Sequence, residues 1–175
     1  MGLLGRLLRG AHAGNSHLAW ARLVGPESMT LTSPDFEPGG VIPRMHAAEG
    51  VGANISPELV WSGVPPQTAA LLLVMEDPSV PLPRPILHVA AVIAPILDRI
   101  PRGMLDHDSP GITLLDGSIN GLGYSGPRPI VDHGPHDYVF QLFALAEVPV
   151  TLRKPGTVLG RGRLTGTFER TSSSS

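Results

Sequence analysis

Residues 69–94 read AALLLVMEDPSVPLPRPILHVAAVIA, and their pattern decides the fold class. Ala69 to Met75 is an unbroken apolar run of strand length. Such a run, bounded by turn residues, reads as a strand buried on both faces. Glu76-Asp77-Pro78 ends it. Pro78, Pro81, Pro83 and Pro85 then forbid regular structure, because proline lacks a backbone N–H and fixes φ. His88 opens a second buried run, HVAAVIA, which Pro95 closes.

Working outward, residues 28–36 alternate apolar and polar and predict a first strand. Residues 37–58 are loop-rich, and Leu59-Val60-Trp61 predicts a short strand before the turn at Gly63–Pro66. A short strand is expected at Gly111–Leu115, a strong one at Tyr138–Leu145 and a last one at Leu164–Phe168. Residues 120–137 form a long loop rich in glycine and proline. Loops longer than about 12–15 residues are usually functional or disordered, and this one leads straight into a strong strand, so it is expected to be ordered. The tail at 171–175, TSSSS, is expected to be disordered.

The 175 residues suit one domain, since domains commonly hold about 100–200. Gly (21) and Pro (19) are abundant and charged residues are only 16%, which points to many turns and few long helices. A net charge of −2 speaks against a nucleic-acid binder, which usually shows a basic face. With no cysteine there is no disulfide, thiol nucleophile or Cys-ligated zinc, and a reducing, cytoplasmic location is the expectation. No apolar run is long enough for a transmembrane helix.

Residues 1–24 read as an N-terminal helical arm ended by Gly25-Pro26. Arg6 and Arg9 interrupt its apolar residues, so there is no clean secretory h-region. Leu3, Leu4, Leu7 and Leu8 follow helical spacing, which predicts packing on the body or on a second subunit, a homodimer being the expected form. Weak contact with a membrane surface is the alternative. His12 on this arm is read as an ordinary surface residue.

Chemistry gathers where apolar strands carry polar ends. Asp77 ends one strand, His88 begins another, and His136 precedes the strand at Tyr138. A carboxylate beside a histidine favours the imidazolium. Two such histidines can donate to an oxyanion, and the same trio contains ordinary metal ligands. Each residue alone could equally be structural, since Asp-Pro is a turn signal and histidine is often half-buried.

Four segments, SPELVWSGVPPQTAALLLVMEDPSVP, LHVAAVIAP, GYSGPRPIVDHGPHDYVFQLFAL and LTGTFER, together resemble the phosphatidylethanolamine-binding protein family in its bacterial and archaeal branch. The family's hallmarks are a strand ending Asp-Pro-Asp-x-Pro, a strand starting His-Trp, and a loop Gly-Tyr-x-Gly-Pro-x-Pro-Pro-x-x-His-Gly-x-His-Arg-Tyr. The resemblance spans residues 28–170 and implies a β-sandwich of two antiparallel sheets with short peripheral helices over 25–170. It implies a small anion pocket at Asp77, His88 and His136, walled by Gly126, Pro127, Arg128, Pro129 and Ile130, with Tyr138 behind His136. Its ligands would be phosphate, a similar anion or a phospholipid head group. Some members inhibit kinases or proteases. No catalytic residue, metal or cofactor is implied.

The chain departs from the pattern at several points. Ser79 replaces the second Asp, Val89 stands where Trp is common, and Ile86 where an aromatic is common. Ile130 replaces a Pro, and Asp137 replaces Arg. A carboxylate at 137, with Asp77 and Asp132 nearby, is expected to make the field less favourable to an anion. The shortened section before LTGTFER is expected to leave the pocket more open. The leading expectation is a small-ligand-binding, non-enzymatic protein. The alternatives are an interaction module with a vestigial pocket and a histidine-dependent hydrolase, against which stands the absence of Gly-x-Ser-x-Gly and His-Glu-x-x-His motifs.

Overall fold

The computed structural model describes residues 3–149, 151–152 and 155–172. The predicted twin apolar strands are β3 (Ala70–Asp77) and β4 (Ile86–Ile93). Around them stand β1 (Thr30–Thr32), β2 (Leu59–Ser62), β5 (Arg99–Ile100), β6 (Ile112–Leu114), β7 (His136–Leu145) and β8 (Val158–Phe168). One sheet has the order β6-β4-β3-β7-β8 and the other β1-β2-β5, all pairs antiparallel.

β3 lies at the centre of the larger sheet, and all eight of its residues are buried. Its two faces meet different neighbours. Leu71, Leu73 and Met75 join the main core with Trp61 and Leu31 of the smaller sheet. Leu72 and Val74 face the other way, into a second cluster with Ala19, Phe143 and Leu145, packed by Trp20 and Leu23. The N-terminal segment therefore covers the outer face of the sheet. This double cover is the physical reason β3 shows no polar alternation.

The arm is less helical than its pattern suggests. It contains α1 (Leu3–Leu7), a single 3₁₀ turn at Asn15–His17 and α2 (Ala19–Arg22). Gly10 and Gly14, both at positive φ, break it into pieces. The first strand is also shorter than expected, Thr30–Thr32, because the Ser33 and Asp35 side chains tie the chain into a turn against Glu58. The last strand is longer, and its first half pairs with Gln141 to Leu145 despite three glycines that mask its pattern in the sequence. Of the expected tail, 173–175 lie outside the described residues. Ser172 is held, its N–H and hydroxyl both on Asp132. Among the described residues no helix is long and apolar enough to cross a membrane.

The register of β3 against β4 slips next to the polar end of the sheet. Met75 pairs with Val89 and Glu76 with Leu87, so His88 is left between them as the extra residue of a β-bulge.

Candidate functional site

Strand alternation delivers half of the site. Asp77 shares the inner face of β3 with Met75, and His136 and Tyr138 share the inner face of β7 with Phe140. His88 cannot arrive by alternation, because Val89 already faces the core. The bulge turns both residues inward, and the His88 ring meets the Tyr138 ring edge-on at 5.2 Å. Asp77, His88, His136 and Tyr138 then form the floor of one cavity of about 760 Å³.

The floor divides into two hydrogen-bonding systems. In the first, Asp77 is a buried carboxylate fed by three donors. The Ser79 N–H reaches its Oδ1 at 2.8 Å, His136 Nδ1 donates to its Oδ2 at 2.7 Å, and the Tyr138 hydroxyl donates to it as well. The other edge of His136 is also engaged: Nε2 lies 2.7 Å from His133 Nδ1, and His133 Nε2 donates to the Leu8 carbonyl at 2.9 Å. Burial holds the His133 pKa below the usual histidine value. The chain of hydrogen bonds from Asp77 to Leu8 is thus saturated.

The second system is open. His88 Nδ1 donates to the Ser125 carbonyl at 2.5 Å, and its Nε2 is buried with no protein partner. Burial is the largest influence on this ring and lowers its pKa, outweighing Ser125 and Asp77, which pull upward. Neutral His88 therefore presents a lone pair at Nε2. Burial also raises the pKa of Tyr138 and Tyr124, so both keep their hydroxyl protons.

The expected loop is the ordered wall. The Gly126 N–H donates to Asn54 Oδ1, Asn54 Nδ2 donates to the Tyr124 carbonyl, and the Tyr124 hydroxyl donates to the His46 carbonyl. Gly126 is required because a Cβ there would overlap the His46 carbonyl oxygen. Gly126, Arg128, Pro129 and Ile130 line the cavity as expected. Pro127 does not: it stands behind the wall, its carbonyl accepting the Ala48 N–H at 3.1 Å.

The carboxylates differ from expectation. Asp137 points out of β7 into solvent and does not line the cavity, because its neighbours His136 and Tyr138 point in. Asp132 is buried against Arg6, Arg9 and Ser172, also outside the lining. The acidic residues on the cavity are Glu49 and Asp106 at the rim and Asp77 on the floor, with Arg128 the one Lys or Arg among the lining residues. The outer walls are apolar, and Leu82, Ile119 and Leu122 are exposed there. No helix stands between Leu145 and Val158 or after Phe168 among the described residues. Nor do His, Cys, Asp and Glu there form a group of three that could hold a metal ion.

Sequence reasoning missed His133. Its signal was the His-Gly-Pro-His spacing, since a glycine–proline turn can fold two histidines three residues apart onto each other. His12 is exposed as expected, yet its ring meets that of His133 at 5.8 Å and its Nδ1 lies 3.1 Å from the Ser79 carbonyl.

The sequence model of the family described as phosphatidylethanolamine-binding protein matches residues 32–169. The chain belongs to that family. Its relatives include a UPF0098 protein of Methanothermobacter thermautotrophicus, 33% identical over 158 residues and covering 81% of this chain and 99% of that one. A UPF0098 protein of Mycobacterium tuberculosis is 34% identical over 152 residues, covering 81% of this chain and 70% of that one. Among solved structures, a phosphatidylethanolamine-binding protein homolog from Chlamydia trachomatis superposes with a TM-score of 0.71 at 28% identity, over 82% of this chain and 99% of that one. Escherichia coli YbcL, described as a new member of the mammalian PEBP family, gives 0.72 at 25%, over 81% and 98%. The family match begins at residue 32, so the arm that supplies the Leu8 carbonyl to His133 lies outside it.

Proposed function

We propose that this chain is a small-ligand-binding protein whose cavity takes a phosphate or similar oxyanion head group, with an attached apolar portion along the outer walls. The observation that carries the reading is His88 Nε2, a buried polar atom without a protein partner on a residue of the cavity floor. Buried polar atoms in native proteins are nearly always bonded, so an orphan in a cavity marks the place of an occupant. The size of the cavity and its mix of apolar walls with few polar groups suit a small-molecule site.

The role is binding rather than catalysis. The bonds that His88 and His136 make, to the Ser125 carbonyl and to Asp77 and His133, support this reading by fixing both rings as parts of the cavity floor. A regulatory action on a kinase or protease would follow from occupancy of the cavity.

The test is a titration with inorganic phosphate and phosphoethanolamine, read by NMR at the histidine rings. Saturable shifts at His88, retained in His107→Ala, are expected, and His88→Ala should abolish the accompanying shifts at the neighbouring His136 ring. Unchanged shifts at His88 in the folded protein would reject the reading.

A second reading concerns the arm. Leu3, Leu4 and Leu7 are 69%, 62% and 74% exposed, which favours a protein contact there, a second copy of the chain included. Light scattering of the full chain at micromolar concentration checks it, and a monomer would count against a homodimer.

A further inference from the structure

We infer that the cavity selects an oxyanion that still carries a proton, so that a phosphate monoester or inorganic phosphate is accepted and a phosphodiester or sulfate is refused. The inference rests on the oxyanion reading and adds to it the protonation state and ester class of the head group.

Three observations carry it. The first is the fixed tautomer of His88. The Ser125 carbonyl can only accept, so the ring's proton stays on Nδ1 and Nε2 offers a lone pair. A fully ionised oxyanion also offers only lone pairs, and two acceptors repel. A P–OH group donates to Nε2 and satisfies it.

The second is that His136 is not free to help. Its Nδ1 is spent on Asp77 and its Nε2 on His133, so it directs no proton at the cavity. The His133 ring is in turn anchored by the Leu8 carbonyl, which holds this arrangement in place.

The third is the charge that faces His88 from every side. Asp77 on β3 and His136 on β7 are bonded to each other, and Tyr138 and Tyr124 keep their protons. At the rim, Glu49 and Asp106 outnumber Arg128. A second negative charge on the ligand meets no unpaired cation on the floor, so the monoanion is preferred.

Proton accounting is simple at neutral pH. The monoanion enters with its own P–OH, which becomes P–OH···Nε2 without net transfer. A monoester loses that proton with a pKa of about 6, so its affinity should fall as pH rises from 6 to 8. A diester and sulfate have no such proton to lose.

The experiment is a calorimetric titration of the full chain at pH 6.5 with methyl phosphate, dimethyl phosphate, inorganic phosphate and sulfate. Methyl phosphate and inorganic phosphate are expected to bind about tenfold or more tightly than dimethyl phosphate and sulfate, the effect of leaving a buried acceptor unpaired. His88→Gln, whose amide can donate, should narrow that ratio while the chain stays folded by circular dichroism. Sulfate or dimethyl phosphate binding within tenfold of the monoester would overturn the proton requirement and leave the oxyanion site standing. Binding of none of the four at millimolar concentration would overturn both.

Discussion

His136 and His88 stand on the two strands that flank β3, and both line the same cavity. His136 has both nitrogens engaged and sits in a saturated chain with Asp77 and His133. His88 has one nitrogen engaged and the other empty. The difference separates two tasks that a sequence motif presents as one. The His136 side builds the floor and ties it to the arm, and the His88 side is left for an occupant. A histidine in a pocket is a binding group only to the extent that the fold leaves it unfinished.

The comparison would be broken most sharply by removing each ring in turn. His136→Ala strips the buried Asp77 of its imidazole partner and leaves His133 without its own. Breaking a buried pair in this way commonly costs about 3–5 kcal/mol. His88→Ala loses one bond to Ser125 and some packing, for which about 1–2 kcal/mol is expected. Urea unfolding of the two variants checks the order, and an equal loss would mean the floor is not divided as described.

Acid sharpens it further. Burial holds the folded-state pKa of His88 and His133 below the unfolded value near 6.5. Below that value the unfolded chain binds more protons than the folded one, so stability is present above about pH 6.5 and falls as the solution is acidified. Each such group contributes at most about 1.4 kcal/mol per pH unit. His88→Leu should flatten part of the slope of melting temperature between pH 7.5 and 5.5, and an unchanged slope would show that His88 does not titrate on unfolding.

A smaller effect is expected at the junction with the arm. Gly5 packs so closely on the 131–133 loop that a Cβ would overlap the Val131 carbonyl oxygen. Gly5→Ala should lift α1 and remove the Leu8 bond to His133. The expected result is a shift of the His133 ring signals and a loss of about 1 kcal/mol, with His88 signals unmoved. Movement of both rings together would merge the two systems into one.

Much of the fold was legible because burial leaves a plain mark on composition. The runs at 69–75 and 89–94 are apolar throughout since both faces of those strands are covered, and β7 is buried in the same way from Tyr138 to Leu145. The bounds of β8 were not legible, because glycines at 160, 162 and 166 erase the alternation. The site was half legible. Asp77, His136 and Tyr138 lie at strand ends on one parity. Asp137 was misjudged because position in a motif was weighed above that parity, which turns it outward.

Periodicity and turn chemistry are local, so the sheet-rich class, the buried strands and the residue types gathered at one end of them can be read from the chain alone. Tertiary structure alone decided which of those residues are spent and which are free. The bulge that turns His88 inward is a matter of register between β3 and β4. The bonds from His133 to His136 and to Leu8 join segments that are distant in the chain or folded back at a turn. Hydrogen-bond saturation belongs to the assembled neighbourhood, and no single stretch of sequence carries it.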